Sequence, residues 1–429
     1  LSKTAILILL ITIGGAFAAF YEPFFGLLAY LFLDFTRPGI ITYGALSGLR
    51  LAFFVAFITV ITLVLKNHKI KIANTKIYLI LLFWIFCLVS FLLSSYRSSG
   101  MVIRAGTIVT NEMIMRFNDF TKTILILIIF YNIINSAKKF RYICLFIAIV
   151  VGGIAARYGF FGALRGGVSQ LGGTLGDNNY YGAMTVMALP FVAYCAKIEQ
   201  NKYLKYMFYL MVPFVIMAIF WTNARGAFVA LLGVLFWLFL RSRHKAISLI
   251  SLVLAAFLFL NFAPAKYLER LQTIQQYKTE ASGRLHCQKV AIEMVKNKPF
   301  FGVGFSAYES AYDDYDFLKG KYGPRRSVHN SVFQILSENG ILGFSIWVFL
   351  LISVYYTTFI KSKRFEKSLK EDKAIYINYF YMLETALVGA LLSGLTINIG
   401  YLSFPWLLIG LVIALEDILK KEMLKEKQA

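Results

Sequence analysis

Apolar runs of roughly 16–20 residues recur along this chain from one end to the other, each about long enough to cross a ~30 Å hydrocarbon core. They lie near 5–36, 48–65, 77–94, 121–136, 141–157, 181–197, 204–221, 226–240, 246–262, 340–360, 375–396 and 399–416. Composition agrees: 59% of the 429 residues are hydrophobic and only 15% charged, where a soluble domain carries about a quarter charged residues. The expected fold class is therefore all-α, a polytopic membrane helical bundle of about 12 crossings.

The chain has 44 Lys and Arg against 22 Asp and Glu, a formal net charge of +22. In a soluble protein that excess would suggest nucleic acid. Here it falls in short loops, around 66–76, 138–141, 197–205, 241–245, 361–373 and 420–427, on every second connection. That is the positive-inside pattern, so these loops are expected on the cytoplasmic face and no nucleic-acid partner is implied. Parity then asks residues 1–36 to make one net crossing, either as one span or as two broken half-helices. Tyr21-Glu22-Pro23 interrupts that run, and Pro23 cannot continue an unbroken helix. The first run is expected to be retained, because no small-residue cleavage site and soluble domain follow it.

The expected layout is a bundle of nine crossings in 1–262, a large outward loop in 263–339, and three crossings with a cytoplasmic tail in 340–429. Within the loop, Tyr267–Lys278 reads as a first amphipathic helix. Ser282 reads as the N-cap of a second, running to about Lys296 and stopped before Pro299. Residues 300–304, Phe-Phe-Gly-Val-Gly, read as a turn. Cys87, Cys144 and Cys195 lie in apolar runs and Cys287 has no loop partner, so neither a disulfide framework nor a metal-ligand spacing is present.

Three outward side chains are candidates for chemistry. Arg225 sits in Thr222-Asn223-Ala224-Arg225-Gly226, where two spans meet with almost no loop. A cation at that depth pairs, lines a wet cavity, or reaches out to headgroups. Arg284 follows Ser282-Gly283, where a helix N-terminus plus a guanidinium would seat a phosphate; a solvated surface arginine is the plainer reading. His329, in Arg325-Arg326-Ser327-Val328-His329-Asn330, has a side chain suited to taking a proton from a hydroxyl, though a lone histidine at an interface is more often structural. His286 is the other outward histidine, while His68 and His244 fall in cytoplasmic basic loops. Asp313, Asp314 and Asp316 read as a solvated face rather than a cation site, so no metal is expected. Glu384, inside an apolar run, is either functional or paired with a buried Tyr or Arg.

Together these stretches resemble the O-antigen ligase and polymerase superfamily of bacterial inner-membrane proteins. Thr222-Asn223-Ala224-Arg225-Gly226-Ala227 is similar to the family's Arg-Gly element between two spans. Ser282-Gly283-Arg284, with Ala291, Met294, Pro299 and Gly302-Val303-Gly304-Phe305, is similar to its loop-helix element. His329-Asn330, then Glu338-Asn339-Gly340-Ile341-Leu342-Gly343, is similar to its His-Asn element leading into the next span. In the N-terminal part, Glu22-Pro23-Phe24-Phe25-Gly26-Leu27, Arg37-Pro38, Arg165-Gly166-Gly167 and Gly176-Asp177-Asn178-Asn179 resemble exosortase-linked O-glycosylation ligases.

The resemblance implies a metal-independent glycosyltransferase of the inner membrane, with its site on the periplasmic face and no cofactor. Its donor would be a glycan on undecaprenyl pyrophosphate, and its acceptor a hydroxyl of lipid A core or of a protein Ser or Thr. In that role Arg225 and Arg284 would hold the pyrophosphate and His329 would be the general base, with Arg165, Asn178 and Asn330 binding substrate. Inversion at the anomeric carbon is the expected outcome. A polymerase extending the lipid-linked chain would use similar residues. A polytopic transporter or flippase would share the span count, but such proteins often carry internal repeats, and none is visible here.

Overall fold

The computed structural model describes residues 2–42, 46, 49–67, 70–97, 101–104, 107–165, 177–241, 245–246, 249–250, 253, 257, 274–363, 365 and 374–428. The chain is a helical bundle. Its helices are α1 (Lys3–Tyr21), α2 (Pro23–Thr36), α3 (Pro38–Ile41), α4 (Leu51–Leu65), α5 (Thr75–Leu93), α6 (Glu112–Ile133), α7 (Ala137–Arg165), α8 (Asn178–Ile198), α9 (Lys202–Trp221) and α10 (Arg225–Arg241). Then come α11 (Ile274–Asn297), α12 (Tyr308–Tyr315), α13 (Ser331–Tyr356), α14 (Ala374–Gly394) and α15 (Ser403–Gln428). One short antiparallel hairpin, Met101–Arg104 with Thr107–Asn111, precedes α6.

Among the described residues, seven helical stretches are long and apolar enough to cross a membrane: Lys3–Tyr21, Thr75–Leu93, Ala137–Leu164, Asn178–Ile198, Lys202–Trp221, Ser331–Lys361 and Ile375–Gly394. Pro23–Thr36 and Leu51–Leu65 are apolar but shorter. The ninth expected crossing, 246–262, lies almost wholly outside the described residues, as do His68 and His244.

The break at Glu22 has a different consequence from the single net crossing that parity asked for. Gly15 of α1 packs its Cα against the Ala29 side chain of α2, seven residues either side of Glu22, and Gly26 faces Ala19 in the same way. Such symmetric contacts make α1 and α2 a helical hairpin whose arms run in opposite directions. The bend lies among basic residues: Lys139 Nζ is 3.0 Å from Glu22 Oε1, and Lys66 Nζ donates to the Tyr21 carbonyl.

Other ion pairs gather the basic segments on the same face. Glu416 is buried beneath Lys76, Lys361 and Lys420, at 2.5, 2.7 and 3.1 Å. Glu199 takes both oxygens' bonds from Arg141, at 2.7 and 2.9 Å. Intramembrane Glu384 is explained similarly: Arg241 grips it at 2.7 and 2.6 Å and Trp237 Nε1 donates at 2.8 Å. Glu384 is therefore a structural partner of Arg241.

At the centre stands α8, buried without interruption from Tyr181 to Val192. A helix covered on every side belongs to the middle of a bundle, and α7, α9, α10 and α14 all pack on it. Its N-terminus therefore opens at the middle of the face opposite the lysines.

The large loop is anchored into the membrane helices by backbone. Helix α13 is interrupted at Gly340 (φ 64°, ψ −173°). Segment 299–304 lies against the break: Val303 N donates to Ser337 O at 2.9 Å, Gly304 N to Glu338 O at 3.1 Å, and Ile341 N to Pro299 O at 2.7 Å. Ser90 Oγ of α5 is bonded to both Phe301 O and Glu338 O, at 2.9 and 2.8 Å. Both partners must be glycine at closest approach. A Cβ on Gly302 (φ +71°) would sit 2.5 Å from the Glu338 backbone, and one on Gly340 2.5 Å from that of Phe300. Phe305 follows and enters an aromatic core, with ring centroids 4.3 Å from Tyr401 and 5.5 Å from Phe120.

Gly340→Ala is expected to destabilise the protein by at least the ~1–3 kcal/mol of a strained backbone, because the added Cβ also meets main chain that cannot yield. Gly153→Ala, where nothing lies within 4 Å of the added atom, should leave stability nearly unchanged. Melting of the detergent-solubilised protein followed by size-exclusion fluorescence compares the two; equal melting temperatures would dismiss the lock.

Candidate active site

Segment 327–331 reaches its position through loop 395–399, between α14 and α15. Asn330 is the N-cap of α13: its Oδ1 accepts from Val332 N at 2.9 Å and Phe333 N at 3.3 Å. Its Nδ2 donates to Leu395 O at 3.1 Å, and its backbone N to Asn398 Oδ1 at 2.9 Å. Asn398 Nδ2 in turn donates to Ser327 Oγ at 2.6 Å, and Ser331 Oγ bonds Ile397 O and Ile399 N, both at 2.8 Å. His329 lies between these ties in the left-handed region, φ 50°. Its ring is half-buried, and among the described residues neither nitrogen has a hydrogen-bond partner. Expected as a substrate ligand, Asn330 has its side chain committed to the cap and to Leu395; what it fixes is the backbone on which His329 stands.

The same loop reaches Arg225. Gly226 packs directly on the Thr396 side chain, with no room for a Cβ. Arg225 is the first residue of α10, after a three-residue turn in which Asn223 adopts φ 54° and Thr222 Oγ1 bonds Ile219 O at 2.7 Å. On its other side the turn rests on α8, where a Cβ on Gly182 would lie 2.6 Å from Ala227 and 3.5 Å from Ala224. One turn earlier, Asp177 caps α8 by accepting from Asn179 N at 2.6 Å and Tyr180 N at 3.3 Å. Asn178 is the first residue of that helix. Loop 395–399 thus links segment 327–331 to the start of α10, which in turn packs on the start of α8.

Arg284 arrives from α11, and the helix differs from the sequence expectation. Residues 267–273 of the first expected helix lie outside the described residues; from Ile274 one helix runs through Ser282 to Asn297, so Ser282 caps no second helix. Ser282 lies inside it, because Gln-Gln-Tyr-Lys-Thr-Glu-Ala before it are compatible with helix and Gly283 is tolerated within one. Arg284 is therefore not at a helix N-terminus, and the phosphate seat argued from a helix end falls; the guanidinium itself remains. Gly283 makes room for Arg326, whose Nη2 would be 3.5 Å from a Cβ there. Arg326 is held by Nη1 on Tyr322 O at 2.5 Å. The helix does stop before Pro299, as the proline requires.

Electrostatics bring these parts to His329. Burial pushes the imidazole below its ordinary value of 6.5, and Arg284 and then Arg326 push it further, while Asp177 opposes them. The charges of Arg284, Arg326 and Asp177 therefore reach His329, and the ring stays neutral and able to accept a proton at neutral pH.

Arg165 ends α7, and its side chain lies outside the described residues, as do Gly166 and Gly167. The three aspartates turn to separate donors: Asp313 to Arg325 N at 2.9 Å, Asp314 to Tyr96 OH at 2.8 Å, and Asp316 to His286 Nε2 at 2.6 Å with Leu318 N and Gly320 N. His286 is buried in this pair and braces loop 316–322 against α11.

Sequence reasoning passed over Arg116. It bonds Glu112 Oε1 at 2.6 Å and Ser306 Oγ at 3.2 Å and lies 3.6 Å from Glu309. Tyr180 feels the charges of Arg116, Asp177 and Arg37. A polar patch thus extends from the α8 N-terminus toward α6. Its one signal in the sequence was the amphipathic stretch Glu112–Phe120 ahead of an apolar run.

Comparison with known proteins covers these same stretches. Residues 210–348, which span the Arg225 turn, the Arg284 helix, the 299–304 lock and His329, match the O-antigen ligase family model. Residues 3–200 match a family of unknown function. No curated protein matches the chain. The O-antigen ligase match covers about a third of the chain and supports a relationship of that part to the O-antigen ligase superfamily.

Proposed function

We propose that this protein transfers a glycan from a polyprenyl pyrophosphate to an acceptor hydroxyl, at the face opposite its lysine-rich loops. Its family supports a lipid-linked glycan ligase or polymerase. The observation that carries the finer reading is the setting of His329: a neutral imidazole with no hydrogen-bond partner among the described residues, beside Arg284 and Arg326.

In the proposed reaction the acceptor oxygen attacks the anomeric carbon. Its proton passes to a ring nitrogen of His329, and the bond from that carbon to the pyrophosphate oxygen breaks, releasing polyprenyl pyrophosphate and inverting the centre. Negative charge grows on the leaving pyrophosphate. Arg225 and Arg284, whose guanidiniums stay protonated and bind phosphate oxygens in pairs, receive it, with Arg326 adding to the field. Asn330 acts through the backbone, as the cap that holds His329, and Asn178, the first residue of α8, would bind substrate beside Asp177. Undecaprenyl as the lipid, the periplasm as the compartment, and lipid A core or protein as acceptor come from the family resemblance. The likeness to exosortase-linked O-glycosylation ligases rests on the quoted N-terminal residues alone.

With a lipid-linked oligosaccharide and candidate acceptors, product mass reports transfer. His329→Gln should slow it by about 10²–10⁴-fold. Arg225→Gln and Arg284→Gln should each raise the barrier by ~3–4 kcal/mol, about 10²–10³-fold in rate. Full transfer by the His329 variant, at wild-type expression, would end its assignment as base.

The pH profile gives a separate check. Because the folded pKa is lowered, activity should persist through neutral pH and fall only as pH drops below 6.5 and the ring becomes protonated. Arg326→Gln removes a charge that lowers the pKa, so the acid limb should move up. Asp177→Asn keeps the helix cap but removes the opposing charge, so the limb should move down. Shifts in the same direction for both variants would count against control by these charges.

A further inference from the structure

At the other end of the bundle, the end of α6, segment 70–74 and residues 414–421 of α15 enclose a cavity of about 210 Å³. Lys71 and Lys421, both exposed, stand on its rim with Asn132 and Asn135. One carboxylate, Asp417, lines it and is already committed: Tyr131 OH donates to it, Asn74 Nδ2 lies at 3.4 Å and Lys420 Nζ at 3.9 Å. Glu416 beside it is buried beneath Lys76, Lys361 and Lys420. Five lysines therefore meet two satisfied carboxylates, and neither Lys71 nor Lys421 has a carboxylate partner among the described residues.

Lys71 is also held in place, unlike an ordinary surface lysine. Its backbone N donates to Asn132 Oδ1 at 2.6 Å, and Asn132 Nδ2 returns a bond to its carbonyl at 3.2 Å. On either side of it, Ile70 is 58% and Ile72 40% exposed. A site for a free anion has no use for that apolar rim; a headgroup attached to acyl chains does.

We infer that this cavity binds the phosphodiester head of an anionic phospholipid, with Lys71 and Lys421 on its phosphate oxygens and Ile70 and Ile72 in the adjoining leaflet. Basic pockets between membrane helices on the lysine-rich face are where such heads are recognised. The Glu416 cluster keeps the pocket's surroundings positive, and α6 and α15, which pack together, form its walls. The inference does not depend on the transfer reaction.

The test uses the full chain purified in a neutral detergent. Apparent affinity is read from the rise in melting temperature as cardiolipin or phosphatidylglycerol is added, with phosphatidylethanolamine and inorganic phosphate as parallel arms. The anionic lipids should stabilise the protein and the other two should not. The double variant Lys71→Gln/Lys421→Gln should weaken the anionic-lipid response by about five-fold per lysine. Lys197→Gln/Lys202→Gln, with the same charge loss on a different basic loop, should keep it. Retained lipid counted by native mass spectrometry gives the same comparison if a variant melts low at the outset. Equal losses in both double variants, an undiminished response in the first, or protection by phosphate alone would overturn the assignment.

Discussion

A membrane helix that breaks exposes backbone donors and acceptors where water does not reach, and each must find a partner inside the protein. In this chain the break at Gly340 is met by segment 299–304, main chain to main chain, with Ser90 of a third helix bonded to both. The glycines are there because the two backbones touch. This pairing fixes where α11 ends, and so where Arg284 sits relative to α13. It also carries Phe305 into the ring cluster of Phe120, Tyr401 and Trp406, so the outward loop is continuous with the membrane core. Two motifs that look separate in sequence are the halves of one joint.

A second joint of the same kind places the remaining functional groups. Loop 395–399 supplies Leu395 O, Ile397 O and Asn398 to segment 327–331, and Thr396 to Gly226. His329 and Arg225 are more than a hundred residues apart in sequence and are positioned by five residues of a loop that holds no candidate catalytic group. Precise placement of these candidate groups comes from polar ties at helix ends, which is where helices leave backbone groups unsatisfied.

That explains what the sequence made legible. Apolar length and basic loops report the bundle and its lysine face because hydrophobicity and charge are local properties. Pro299 ends a helix wherever it stands, and the tight turn at 222–224 follows from the closeness of two apolar runs. Ser282 misled because a serine caps only when the preceding residues leave the helix, and here they remain in it. Arg241 looked like a loop charge but is the counter-ion of Glu384, since pairing across helices leaves no trace in spacing. The hairpin at Glu22 was hidden for the same reason: Pro23 signals a break, while the direction of the next helix is set by Gly15 against Ala29. Arg116 and the role of Asp177 emerge only when α6, α8 and α12 are brought together.

The kind of cation at each end of the bundle also has a physical reason. The cations whose charge reaches His329 are guanidiniums, Arg284 and Arg326, and Arg225 and Arg116 belong to the same face. At the opposite end, ammonium groups meet around Glu416. A lysine placed among other cations, without a carboxylate, readily gives up its proton; arginine does not. A face that must stay positive while lowering the proton affinity of a neighbouring imidazole therefore calls for arginine. Where a carboxylate compensates the charges, as Glu416 does, lysine serves as well. The guanidiniums of Arg284 and Arg326 that lower the proton affinity of His329 are also cations suited to an anion, so removing either raises that affinity while removing a positive charge from the face.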